Sequence, residues 1–88
     1  MPDIGKFQAY KVYMYFQDHQ PPHVHIKGPS CNGSVLLLDG KILAGHVPPK
    51  IMAVLKAWIE DNRTILLRNW ELAQKGEPLL NVSAPRVR

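Results

Sequence analysis

The sequence predicts an α+β fold: a four-stranded antiparallel meander followed by a C-terminal helical segment, one kinked helix or two, packed on one face. Three observations predict it. Residues 9–45 hold short runs rich in aromatic and β-branched types, separated by Gly, Pro and Asp-Gly turn signals. After Pro48-Pro49 the apolar period lengthens from two residues to about 3.6. The chain has 88 residues, which is one domain's worth.

Residues 9–17 read as the first strand, with Tyr10, Val12, Met14 and Phe16 on one face and Lys11, Tyr13, Tyr15 and Gln17 on the other. Asp18-His19-Gln20-Pro21-Pro22 ends it, because two prolines remove two N–H donors. Residues 23–27 alternate strictly, Val24 and Ile26 against His23, His25 and Lys27. A hairpin centred on Gln20 would set Phe16 opposite Val24, Met14 opposite Ile26, Tyr15 opposite His25, Gln17 opposite His23 and Tyr13 opposite Lys27. That register keeps apolar with apolar. Residues 28–33 read as a loop, and residues 34–38 as a strand whose continuous apolar run implies burial on both faces. Asp39-Gly40 signals a type I′ turn into a returning strand, residues 41–45.

Pro49 suits the first helical turn. Met52, Leu55, Ile59, Leu66, Trp70 and Ala73 then recur at helical spacing. Asp61-Asn62 interrupts the stripe and predicts a bend near Asn62. Gly76 followed by Pro78 stops the helix. The division is therefore a single α+β domain over residues 1–76 and a tail over 77–88, partly extended, with residues 79–82 as a candidate short strand. One helical layer covers only one face of the 34–38 strand, so a homo-oligomer or a partner chain is expected on the other.

Composition excludes several classes. Hydrophobic residues make up 45% and charged residues 20%, with mean hydropathy -0.18, which fits a soluble globular domain rather than a disordered or fibrous chain. The longest run of large aliphatic residues is Val35, Leu36, Leu37 and Leu38, far short of the roughly 20 apolar residues that span a bilayer. The first residues, Met-Pro-Asp-Ile-Gly-Lys, form no signal-peptide core. Cys31 is the single cysteine, so no internal disulfide forms. The expected location is the cytoplasm, with no membrane partner. No Ser-His-Asp pattern, phosphate-cradling glycine loop or zinc-finger spacing is present.

The net charge is +4 and the pI about 9.5, which favours polyanionic partners. No run of Lys or Arg is continuous, and only Arg86 and Arg88 are locally uncompensated. The charge is either mild excess on a solvated surface or a basic face assembled from several strands.

Three of the four histidines fall in seven residues, with Asp18 before them and Lys27 after. Three chemistries compete. His23 and His25, at i and i+2 on a strand, share a face and can bind one Zn²⁺, with His19 or Asp18 folding back as a third ligand. Alternatively, two histidines act as acid and base at an RNA phosphodiester, with Lys27 stabilising the phosphate and Tyr13 and Tyr15 stacking bases. In that reading the 2′-OH attacks and no cofactor is needed. Third, the residues form a solvated or interface face. Trp58 and Trp70 read as core or interface anchors. Arg68 and Asn69 could line a site or an exposed helix face. His46 could approach the cluster, and Cys31 lacks an activating neighbour.

The stretch Tyr-Met-Tyr-Phe-Gln-Asp-His-Gln-Pro-Pro-His-Val-His-Ile, residues 13–26, resembles the signature of the small bacterial domain-of-unknown-function family 4160. Gly45-x-Val47-Pro48, Trp58-Ile59 and Asn69-Trp70-Glu71 agree with its pattern, so the resemblance covers about residues 1–75. It implies a short stand-alone protein, often encoded beside another small protein, which prompts comparison with toxin–antitoxin pairs. It singles out Asp18, His19, His23 and His25 without assigning their roles. The expected function is the toxin-like component of such a pair, binding or cleaving RNA through its His-rich strand face. Asp18, His19, His23 and His25 would be catalytic, and Lys27, Tyr13 and Tyr15 would bind. The alternatives are a non-catalytic interaction module, as antitoxin or regulator partner, and a small metal-binding protein using His23 and His25.

Overall fold

The computed structural model describes residues 3–7 by their backbone alone and residues 9–82 in full. Five strands come first: β1 (Asp3–Phe7), β2 (Tyr10–Tyr13), β3 (His23–Gly28), β4 (Cys31–Leu36) and β5 (Ile42–His46). One helix follows, α1 (Pro49–Gln74). The strands lie in sequence order and every neighbouring pair is antiparallel. The predicted meander and C-terminal helix are therefore present, and β1 adds a strand in front of them. It pairs Lys6 with Lys11 and Phe7 with Tyr10.

The β2–β3 register differs from the expected one by two residues. Val12 faces Ile26 and Tyr13 faces His25. A shift of two preserves the faces, so Val12, Val24 and Ile26 still point into the core. The cause is the connection. Residues 14–22 leave the ladder altogether and make a nine-residue excursion with a cis Gln20-Pro21 bond. Met14 still reaches the core, but Phe16, beyond the ladder, is exposed.

The next two turns also differ. Gly28 pairs with Cys31, so the expected six-residue loop is only Pro29-Ser30. Proline fixes φ at the first position, and Ser30 takes φ 52 at the second, the pattern of a type II turn. At the other end the chain leaves the ladder after Leu36. Gly40 N–H donates to Leu36 O, and Leu36 N–H donates to Lys41 O, closing a four-residue connection instead of a type I′ turn. Val35 and Leu37 are fully buried, but Leu38 is 63% exposed, so the run is not covered on both faces.

Pro48 is the N-cap of α1 and Pro49 opens the helix. The bend falls at Asn62, whose φ and ψ are -122° and 18°. Its side-chain amide donates to Trp58 O at 2.9 Å, supplying a partner for the carbonyl four residues back. Leu55, Trp58, Ile59, Leu66 and Trp70 pack with Val12, Met14, Val24, Ile26, Val35 and Leu37 into one core, so both tryptophans are core residues. The helix ends where expected. Gly76 has φ 70, its N–H donates to Ala73 O, and Glu77 N–H donates to Leu72 O, which is a Schellman motif.

Residues 79–82 form no strand. Buried Asn69 does the pairing instead. Leu80 N–H donates to its Oδ1 at 2.7 Å, and its Nδ2 donates to Leu80 O at 3.1 Å. This side chain anchors the segment after the helix and lines no site. Arg86 and Arg88 lie outside the described residues. No helix among the described residues is long and apolar enough to cross a membrane.

Gly45 on β5 has φ 81, and a Cβ there would overlap the carbonyl oxygen of Asn32 on β4. Gly45→Ala is expected to destabilise the fold by at least about 2 kcal/mol, from the left-handed backbone together with the forced strand separation. Thermal melts followed by circular dichroism should show a loss of about 10 °C or more. An unchanged melting temperature would contradict the β4–β5 contact.

Candidate functional site

The excursion of residues 14–22 returns over the start of β3 and is fixed to the end of the helix. Gln17 N–H donates to Ala73 O at 3.0 Å, and Gln74 Nε2 donates to Asp18 O at 2.9 Å. These bonds set the Asp18 side chain against two histidines of β3. His25 Nε2 lies 2.8 Å from Asp18 Oδ2 and hydrogen-bonds to it. His23 Nε2 lies 3.0 Å from the same oxygen.

The two rings stand in different surroundings. The His23 side chain is fully buried, with Trp70 at 5.1 Å and His19 stacked on it at 5.1 Å. His25 is half-buried, stacked on its cross-strand partner Tyr13 at 5.4 Å and meeting Tyr15 edge-on at 4.6 Å. His23 Nδ1 sits 2.6 Å from Pro21 O. A carbonyl oxygen only accepts, so Nδ1 carries the proton. In the neutral ring Nε2 then presents its lone pair to Asp18. The approach to Oδ2 is out of line for a hydrogen bond, and Nε2 is a buried polar atom with no hydrogen-bond partner.

Burial pushes the Asp18 carboxyl up, but several effects outweigh it. The His25 hydrogen bond, the His19 backbone N–H at 2.8 Å and the charges that His23 and His25 can carry hold it below the ordinary value of 3.8. His19 itself is the exposed member: its side chain is 74% accessible, and its Nε2 lies 3.7 Å from Asp18 Oδ1.

The structure thus brings together Asp18, His19, His23, His25, Tyr13 and Tyr15. Lys27 lies two residues along β3 from His25 and is exposed. Tyr13 is buried, so its role is to support His25 and Tyr15, not to stack a base. His46 stands apart, on β5 opposite Asn32. Cys31 is buried on β4, and burial pushes its thiol up, away from nucleophilic use. Arg68 pairs with Glu71 at 3.1 Å and borders a separate concavity beside the helix bend with Asp61, Asn62 and Arg63. Sequence reasoning missed Pro21 and Gln74, the backbone and side-chain groups that orient His23 and Asp18. No local signal marks Gln74, which acts 56 residues away from Asp18.

Fold and site together define a small α+β protein with a carboxylate–bis-histidine cluster at the junction of loop, strand and helix end. A family model covers residues 9–71, and the chain belongs to that family, described as Domain of unknown function (DUF4160). No curated protein and no solved structure gives a significant match.

Asp18 contributes stability when ionised, because its folded pKa lies below the unfolded value. That contribution is complete above pH 3.8 and is lost as pH falls through the lowered folded value. Asp18→Asn should therefore lower stability by about 1–3 kcal/mol near neutral pH. In denaturant melts the gap between parent and variant should narrow as the pH is taken below 4, and a gap independent of pH would refute the assignment.

Proposed function

We propose that the chain binds single-stranded RNA across the open face of its sheet. The observation that carries this reading is a row of cations in the strand register. Lys6 stands opposite Lys11, Lys11 opposite Lys27, Lys27 opposite Asn32, and Asn32 opposite His46. Lys11, Lys27, Asn32 and His46 are all exposed, while the core and α1 occupy the other face. Neighbouring strands are about 4.8 Å apart, so the register positions of Lys6, Lys11 and Lys27 span about 10 Å. A polyanion laid across the row meets basic side chains from successive strands. Tyr15 is exposed in the cluster beside the row and offers a ring to an unpaired base.

Cleavage by His23 and His25 as an acid–base pair draws no support from their positions. A phosphodiester cannot reach the His23 ring, whose side chain is fully buried. The reading is therefore RNA binding, with the toxin-like place in a two-protein pair implied by the family resemblance.

Fluorescence anisotropy with a labelled single-stranded RNA tests it. Affinity should fall steeply between 50 and 200 mM salt, with a slope near -2 for about three phosphates at ~0.7 each. Lys27→Glu should weaken binding at least about tenfold and flatten the slope. Lys50→Glu, which makes the same charge change on the helix, should not. Equal loss in both variants, or binding indifferent to salt, would sink the reading.

A second reading is favoured by one feature. β5 is the last strand in the sheet order; exposed Ile42 and Leu43 lie on it, and exposed Leu38 lies in the turn before it. An open edge with apolar side chains is suited to pairing with another chain. On this reading native mass spectrometry of the purified chain should show a dimer that Leu43→Lys converts to monomer. A monomeric parent would count against it.

A further inference from the structure

We propose that Asp18, His23 and His25 form a binding site for one divalent first-row transition metal ion, with a coordination position left open toward the exposed His19. Two independent observations carry it. One is convergence: each of the three residues offers one ligand atom, and these atoms lie within 4.8 Å of one another. The other is the orphaned nitrogen. His23 Nε2 is buried and aimed into the cluster, yet no hydrogen-bond partner reaches it.

The tautomer makes that nitrogen a ligand. Pro21 O, 2.6 Å from Nδ1, fixes the ring proton on the far side. A histidine that binds a metal commonly donates its other ring N–H to a backbone carbonyl in this way, which sets the ring's orientation and raises its basicity. In the neutral ring, with its proton at Nδ1, the Nε2 lone pair and a carboxylate oxygen face each other at 3.0 Å, an arrangement that a metal cation between them converts from repulsion to attraction. His25 Nε2, 2.8 Å from the same oxygen, turns its own lone pair inward once its proton leaves.

The donor set selects the ion class. Two imidazole nitrogens and one carboxylate suit Zn²⁺ and its first-row neighbours, whereas Mg²⁺ and Ca²⁺ take oxygen donors. Zn–N and Zn–O bonds of about 2.0–2.2 Å put neighbouring donors about 3.4 Å apart, so side-chain shifts of about an ångström close the set. Three protein ligands leave an exchangeable position, as in open sites and not in four-ligand structural ones. His19, with its side chain 74% accessible and its Nε2 3.7 Å from Asp18 Oδ1, lies beside the three ligands and is not required for binding. The loop is already fixed to α1 by Gln17 and Gln74, so little of the site has to be ordered when the ion arrives.

The test uses the full chain made without a polyhistidine tag and in the absence of RNA. Calorimetric titration with ZnCl₂ should give one ion per chain, and Co²⁺ should give visible absorption of a nitrogen- and oxygen-ligated site. Asp18→Asn, nearly the same shape as the parent, and His25→Ala, at a half-buried position, should each weaken Zn²⁺ binding by at least about a hundredfold, more than loss of an outer hydrogen-bond partner brings. Both should keep the parent's circular dichroism spectrum, and His25→Gln replaces His25→Ala if that variant does not. His19→Ala and His46→Ala should bind within about threefold of the parent. Absence of a one-to-one complex, or binding that survives Asp18→Asn and His25→Ala alike, would overturn the proposal. The lysine-row reading stands or falls separately, because neither Lys11 nor Lys27 is a ligand.

Discussion

Fastening of residues 14–22 to the last turns of the helix is the constraint on which the rest of the site depends. Two bonds do it, from Gln17 N–H to Ala73 O and from Gln74 Nε2 to Asp18 O. Without them the segment would be a long excursion between two strands, free to place Asp18 anywhere over the sheet. With them the carboxylate is set against His23 and His25. The helix end is itself well determined, since Gly76 closes a Schellman motif one turn beyond Ala73 and Trp70 is buried in the core. Core packing, helix termination and site geometry therefore form one chain of dependence.

The same arrangement gives the sheet two unlike surfaces. Val12, Val24, Ile26 and Val35 face the helix and hold the domain together. Their strand neighbours Lys11, Lys27 and Asn32 face outward, and the excursion covers only the end of that face where Tyr13 and His23 lie. A partly buried polar cluster thus adjoins an exposed basic row within one strand, His23 and His25 at one end of β3 and Lys27 toward the other. The closeness of the two follows from the period of two along the strand: every outward residue of β3 after His23 is polar.

Much of the fold was legible because it is written in local patterns. The alternation of residues 23–27, the proline pair before the helix, the interruption at Asn62 and the glycine stop at Gly76 each act within a few residues, and each element formed as those signals direct. Turn lengths were less legible. Pro29-Ser30 reverses the chain in two residues because a proline can be followed by a left-handed serine, whereas composition alone suggested a longer loop. β1 was missed, since its five residues, DIGKF, show little alternation and gain their place by pairing with β2.

The sequence by itself determined the fold class, the face of each β3 residue and the identity of the cluster as Asp18, His19, His23 and His25. Those depend on strand and helix periodicity and on which residue types stand close together along the chain. Only the tertiary structure decided that the His23 ring is buried while His19 is exposed, that Pro21 O fixes the His23 proton, and that Lys11 and Lys27 align across strands. The reason is physical: burial, ring orientation and cross-strand alignment are set by contacts between segments far apart in the chain. A register shift of two residues leaves every face unchanged while replacing every partner.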